Sequence, residues 1–115
     1  MVKRTVVGAH YGLRDWAVQR VTGGIIAAYS VFLAVVLFVQ PALDFITWRS
    51  LFTHTWMRVP SFVCLLAVYV HAWIGVRDIL MDYVKPTTLR LFLQVVVIVF
   101  LIAYTVWTVQ ILWSL

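Results

Sequence analysis

Charged side chains are scarce in this sequence. Lys, Arg, Asp and Glu together make up 11% of the 115 residues, whereas soluble globular domains contain about 25% of these residues. Hydrophobic residues make up 64% of the chain, and its mean hydropathy is +1.01. These values exclude an ordinary soluble globular domain. They predict an integral membrane protein that forms one small domain over residues 1–115.

Cysteine is also nearly absent, because Cys64 is the only one and lies inside an apolar run. This excludes a disulfide or a multi-cysteine metal site within the chain. The nine Lys and Arg residues outnumber the four acids, yet they lie between apolar runs, and no motif that reads nucleic acid is present. We therefore expect no nucleic-acid partner, and we interpret the basic residues as topology signals.

Three long stretches contain no charged residue: 21–43, 59–76 and 91–115. A helix needs roughly 20 residues to cross about 30 Å of hydrocarbon, and backbone groups in lipid must form their hydrogen bonds within the protein. The sequence therefore predicts an all-α fold, a transmembrane bundle of three helices that is part of a larger hetero-oligomeric helix bundle. The predicted spans are about 21–43, 59–82 and 89–113.

Two segments border the first span. Residues 1–20 are basic and are predicted to form a cytoplasmic, partly interfacial arm. Cleavage as a signal peptide is not expected, because the apolar run that follows exceeds the usual limit of about 15 residues and lacks a small-x-small site. Residues 42–58 carry aromatic residues at spacings of three and four, which predicts a short amphipathic helix at the membrane interface. These aromatic residues are Phe45, Trp48, Phe52 and Trp56.

Lys and Arg are distributed unequally between the two predicted sides of the membrane. Four lie within residues 1–20, and three lie around the connection between the second and third spans. The connection between the first and second spans carries only two, Arg49 and Arg58. By the positive-inside rule, the amino terminus is predicted to be cytoplasmic and the carboxyl terminus to lie on the opposite side.

One imidazole, that of His71, lies near the centre of the second span. An unpaired polar group is costly at this depth, and ionisable residues there usually mark function. Position alone leaves three roles open. His71 is a neutral histidine hydrogen-bonded to another helix, a metal ligand, or one station in a proton path.

The neighbours of His71 favour a ligand to haem. Ala67 lies about one helical turn before His71 and Gly75 about one turn after it, on the same helix face. Small residues at these positions leave clearance for the plane of a porphyrin. A bare zinc or copper ion is disfavoured, because a single histidine without a nearby carboxylate does not complete such a site.

A haem that only transfers electrons usually takes two strong axial ligands. The other histidines of the chain, His10 and His54, are predicted to lie near opposite membrane surfaces. We therefore expect the second ligand to come from another polypeptide. Three helices are also too few to enclose a macrocycle by themselves.

Three further candidates are predicted at the cytoplasmic end. Asp82 and Tyr83 follow His71 by about 16 to 18 Å along the helix axis. Tyr83 is suited to hydrogen-bond a quinone carbonyl at the interface, and a simple aromatic-belt tyrosine is the alternative. Arg20 is placed to pair with a haem propionate, since arginine is a strong donor to carboxylates. For Asp82, helix capping, pairing with Lys85 or Arg20, and proton supply all remain open.

The run His71-Ala72-Trp73-Ile74-Gly75, followed by Asp82-Tyr83-Val84-Lys85-Pro86, resembles the signature of the hydrophobic membrane anchors of bacterial succinate dehydrogenase, the respiratory complex II enzyme. The resemblance covers nearly the whole chain. It extends from Arg14-Asp15-Trp16 through three spans to a restart at Leu89-Arg90-Leu91.

This resemblance implies a membrane anchor of a succinate:ubiquinone oxidoreductase in the bacterial inner membrane, with no complete active site of its own. It implies that His71 is an axial ligand of a haem b shared with a partner, and that Tyr83 hydrogen-bonds ubiquinone beside Asp82. Arg20 would pair with a propionate. The implied partners are a second membrane anchor (cytochrome b) subunit, an iron-sulfur subunit and a flavoprotein subunit. Some family members carry histidine at the position of Arg14, which leaves contacts near the propionates open.

Two other functions remain as alternatives at this point. The first is a haem-free structural or quinone-binding anchor of a fumarate reductase-like complex. The second is a small proton-conducting membrane protein in which His71 and the acids form a relay. Such a relay should continue toward the outer face, but the half of the second span before His71 offers only Ser61, Cys64 and Tyr69.

Overall fold

The computed structural model describes the backbone of residues 2–114 and the side chains of residues 12–114. Within this range the chain forms four α-helices and no strand, which confirms the predicted all-α fold. The helices are α1 (Val2–Phe38), α2 (Phe45–Leu51), α3 (Thr55–Tyr83) and α4 (Thr87–Trp113).

Three of these helices are long and apolar enough to cross a membrane, as predicted. The qualifying segments are Gly12–Phe38, Thr55–Tyr83 and Thr87–Trp113. At 1.5 Å per residue, a helix of 27 residues is about 40 Å long, which exceeds the thickness of the hydrocarbon core. Helix α1 also continues without a break through most of the segment that the sequence predicts as a separate arm.

Two helix ends near prolines differ from the predicted boundaries. Helix α1 ends at Phe38, before the predicted boundary at residue 43, because Pro41 disfavours helical geometry at the residue that precedes it. Helix α3 begins at Thr55 rather than at residue 59, so that Pro60 lies inside the helix. Since proline has no N–H, the carbonyl of Trp56 loses its normal helical donor.

The short helix α2 forms in the connection where the sequence predicts one. The side chain of Asp44 caps it by accepting a hydrogen bond from the backbone N–H of Thr47 at 2.8 Å. This N–H···carboxylate bond holds the pKa of Asp44 below its usual value, because it stabilises the charged form. Phe45 and Trp48 are exposed, as expected for a helix that lies at the membrane interface.

Helix α3 lies between α1 and α4 and packs antiparallel against both. The best-packed core is at the α2 end of the bundle, where Leu51, Phe52, Met57 and Leu112 are buried together. Met57 is fully enclosed. Nearly all other large apolar side chains of the described residues are half-buried or exposed. The bundle is therefore closed at the α2 end, and it offers a wide apolar surface to lipid or to other helices.

Candidate functional site

His71 faces helix α1 rather than lipid. Its ring nitrogen Nδ1 lies 2.9 Å from the hydroxyl Oγ1 of Thr22. The backbone of Gly23 lies beside the same ring, because a Cβ added to Gly23 would be 3.7 Å from Cε1 of His71. The imidazole is therefore held against α1 by one hydrogen bond and one close backbone approach.

Thr22 is buried and makes a second hydrogen bond within its own helix. Its hydroxyl donates to the carbonyl oxygen of Val18 at 2.7 Å. Among the described residues, Thr22 is the only side chain that hydrogen-bonds to the ring of His71. Sequence reasoning missed Thr22, although it is a polar residue in a span with few others.

An open pocket of about 510 Å³ lies beside His71 between α1 and α3. It brings His71 together with Arg20, another of the predicted site residues. Its lining mixes polar, charged and apolar groups: Gly12, Asp15, Trp16, Gln19, Arg20, His71, Ile74 and Asp78. In residues 12–114, no group of three or more potential metal-ligating side chains comes together, so a bare metal ion has too few ligands here.

Arg20 is exposed at this pocket. Its guanidinium carbon lies 5.5 Å from the centre of the Trp16 ring, in a cation–π arrangement. Asp15 is instead paired with Arg77. Within the described part of the chain, Arg20 forms no ion pair with an acidic side chain, so its charge is available to an anionic ligand.

The space around His71 is asymmetric along α3. Ala67, one turn before it, is buried, and helix packing fills that side. Gly75, one turn after it, has open space where a Cβ would stand. The helix surface beside His71 is therefore more open at Gly75 than at Ala67.

Asp82 and Tyr83 do not join this pocket. Tyr83 is the last residue of α3 and is 78% exposed, and Asp82 is exposed beside it. In residues 12–114, Asp82 forms no ion pair with Lys85 or Arg20. The structure therefore separates the four predicted residues into a pair at the pocket, His71 and Arg20, and an outward-facing pair at the helix end.

The polar groups before His71 on α3 are used in local contacts. Ser61 hydrogen-bonds to Tyr29 of α1 and to the carbonyl of Met57. Tyr69 hydrogen-bonds to Thr108 of α4 at 2.6 Å. These contacts bind neighbouring helices together, and among the described residues they form no continuous chain to His71.

Comparison of the sequence with known proteins identifies its family. Residues 2–107 match the model of the succinate dehydrogenase/fumarate reductase transmembrane subunit. The chain is also 38% identical over 113 residues to the succinate dehydrogenase hydrophobic membrane anchor subunit of Coxiella burnetii, a match that covers 98% of this chain and 96% of that protein. The chain belongs to the succinate dehydrogenase/fumarate reductase transmembrane subunit family. It is a multi-pass membrane anchor, and such an anchor associates with catalytic subunits.

The anchor's first two long helices are joined by three polar contacts that the sequence reasoning missed. On α1 they involve Asp15, Thr22 and Tyr29, which recur every seven residues. Their partners on α3 are Arg77, His71 and Ser61. A seven-residue period keeps side chains on one face of a helix that packs at a small crossing angle. The spacing of these three residues could therefore have predicted which face of α1 contacts α3.

Helix α1 also carries a face of mostly small residues that α3 leaves exposed. Its members are Arg20, Gly24, Ala27, Val31 and Ala34, and all of them are exposed. In this anchor the face does not pack against α3. Small residues of this kind let another helix approach the backbone closely, so the face is open to a helix of another subunit.

The ion pair between Asp15 and Arg77 is expected to stabilise the open end of the helix pair modestly. The two side chains remain 36% and 26% exposed, so solvent screening limits their coupling to roughly 0.2–1 kcal/mol. A double-mutant cycle with Asp15→Asn and Arg77→Gln should show this coupling as non-additive losses of unfolding free energy in a denaturing-detergent titration. Strictly additive losses would contradict the pairing.

Proposed function

We propose that this chain is the membrane anchor of a succinate:ubiquinone oxidoreductase, that it supplies one axial ligand to a b-type haem, and that it forms part of the ubiquinone reduction site. The observation that carries the haem assignment is the position of His71. Its Nδ1 is hydrogen-bonded to Thr22, and its ring borders the pocket that also contains Arg20.

The residues around this pocket fit a haem in three respects. His71 is the imidazole that lines the pocket, and one imidazole suits one axial position of a haem. Gly75, one turn after His71 on α3, leaves open space where a side chain would otherwise stand. Arg20 has no acidic partner among the described residues, so its guanidinium is free to bind the carboxylate of a haem propionate. When bound, a b-type haem supplies a one-electron redox centre.

In this proposal each of the four predicted site residues has one role. His71 would bind iron through the ring nitrogen that does not contact Thr22. Arg20 would orient the group through a propionate. Tyr83, exposed at the end of α3, would donate a hydrogen bond from its phenol to a quinone carbonyl, and Asp82 would border that pocket. The succinate chemistry itself would belong to partner subunits.

The implied partners are a second membrane anchor, an iron-sulfur subunit and a flavoprotein subunit. The exposed small-residue face of α1, which includes Gly24 and Ala27, supports a second anchor, because small residues let a helix of that subunit approach closely. A second anchor would also supply the second axial ligand of the haem. The basic amino-terminal end of α1 supports a cytoplasmic amino terminus and a periplasmic carboxyl terminus in a bacterial inner membrane.

The deciding experiment is the reduced-minus-oxidised absorption spectrum of the complex purified through this chain. We expect a b-type spectrum and succinate-dependent quinone reduction. An active complex without haem would overturn the ligand assignment and support the haem-free anchor instead. Proton flux through the purified chain alone, without redox activity of its complex, would overturn the whole proposal.

A further inference from the structure

We infer that Thr22 is a positioning residue that fixes the tautomer of His71, with the proton on Nδ1 and the lone pair on Nε2. This inference rests on the proposed function, because it concerns how His71 is prepared to bind iron. The observation behind it is the chain of two hydrogen bonds that passes through a single hydroxyl.

The hydroxyl of Thr22 has one proton and three polar neighbours: the ring of His71 and two carbonyl oxygens, that of Val18 and, at 3.3 Å, that of Gln19. Both carbonyl oxygens can only accept a hydrogen bond. The carbonyl oxygen of Val18 is the nearer of the two, at 2.7 Å. If the hydroxyl proton points to Val18, the 2.9 Å contact with His71 requires a proton on Nδ1. One hydroxyl then completes two hydrogen bonds, as donor and as acceptor.

The opposite tautomer completes only one of these bonds. If Thr22 donated to an unprotonated Nδ1, its bond to the carbonyl of Val18 would be lost. Because Thr22 is buried, water does not readily replace a lost bond. Hydrogen bonds in series also strengthen one another at low dielectric. The arrangement of α1 therefore favours the proton on Nδ1.

This tautomer has a direct chemical consequence for the ring. A neutral imidazole binds metal through its unprotonated nitrogen, and the hydrogen bond of the other nitrogen sets which one that is. A donor bond from the N–H also raises the basicity of the ligating nitrogen and fixes the orientation of the ring. The backbone of Gly23 lies beside Cε1 of His71, where an added Cβ would be 3.7 Å away, so the ring is close to α1 at this point too.

The test is a comparison of variants in the purified complex. Thr22→Val keeps the shape but removes the hydroxyl, and we expect about 10–100-fold weaker retention of haem. We also expect an upward shift of the haem midpoint potential, because a less basic imidazole stabilises the ferric state less. A tenfold change in the relative affinity for the two oxidation states corresponds to about 59 mV. Thr22→Ser keeps the hydroxyl and should resemble the wild type.

Two further variants separate this role from simple helix packing and from the ligand assignment. Tyr29→Phe removes a different hydrogen bond between the same two helices, and it should leave haem retention and potential unchanged. Equal effects of Tyr29→Phe and Thr22→Val would overturn the inference in favour of general loosening. If Thr22→Val does not assemble, Thr22→Cys, with a weaker hydrogen-bonding group, should give the same upward shift, and a wild-type potential would overturn the inference.

The roles of Thr22 and His71 can fail in distinguishable ways. If His71→Ala changes the haem spectrum but Thr22→Val behaves as the wild type, His71 remains the ligand and the role of Thr22 is wrong. If His71→Ala leaves the spectrum unchanged, the ligand assignment itself is wrong.

Discussion

Replacing His71 with alanine is expected to remove or strongly alter the b-type absorption of the complex, while the chain still folds and assembles. Loss of a residue that merely orients a metal ligand weakens metal binding by about 10–100-fold, so loss of the ligand itself should weaken it further. The chain should tolerate the change, because Thr22 keeps its hydrogen bond to the carbonyl of Val18 and no buried hydroxyl is left without a partner.

A matched control for His71→Ala is available at the start of the same helix, far from His71. His54 precedes α3 as its N-cap residue, makes no side-chain capping bond and stacks against Trp56. His54→Ala removes an imidazole at the opposite end of the bundle and should leave the spectrum intact. The measurement is the haem-to-protein ratio of each purified complex. Equal haem loss in both variants would indicate an assembly defect and not the loss of a ligand.

The coarse fold follows from the sequence because the membrane imposes strong rules. Runs of about 20 apolar residues have few alternatives to helix in lipid, so the three spans were predictable from residues 21–43, 59–76 and 91–115. The presence of the short helix α2 was predictable from aromatic spacing, although only Phe45 and Trp48 of the four aromatic residues lie in it. The helix ends were harder to predict. Helix α1 ends before Pro41 and short of the predicted boundary, and α3 begins before Pro60 and not at it.

The rotation of each helix was harder to predict. A soluble helix shows which face is buried through its polar and apolar sides, but α1 and α3 are apolar almost all round. Sequence reasoning therefore found His71 from its depth and could not identify Thr22 as its partner. Helix α3 packs against the face of α1 that carries Asp15, Thr22 and Tyr29, and this face could not be read from the apolar pattern.

Helix rotation also decides which of the predicted site residues meet within this chain. His71 and Arg20 line one open pocket beside α1 and α3. Tyr83 and Asp82 are exposed at the end of α3, so any pocket around them needs walls from other subunits. One chain therefore contributes part of two sites, and the quinone role of Tyr83 stays a prediction that only the assembled complex can test.

Replacing Tyr83 with phenylalanine is expected to lower succinate-quinone activity by about two- to tenfold, because one neutral hydrogen bond contributes about 0.5–1.5 kcal/mol and each 1.36 kcal/mol changes a rate tenfold. Succinate oxidation with an artificial acceptor should stay nearly unchanged, since that reaction bypasses the quinone. The chain should remain stable, because the phenol is 78% exposed and the substitution leaves no cavity in the bundle.

The two activities must be measured on the same preparation, so that their ratio is independent of how much complex assembles. Tyr104→Phe is the matched control, because Tyr104 is another exposed tyrosine, at 43%, on α4 and away from the end of α3. It should leave both activities unchanged. An equal fall of both activities in Tyr83→Phe would mean that Tyr83 supports assembly with the catalytic subunits. A fall in quinone activity alone would place the phenol at the quinone and leave haem binding by His71 as a separate property of the same helix.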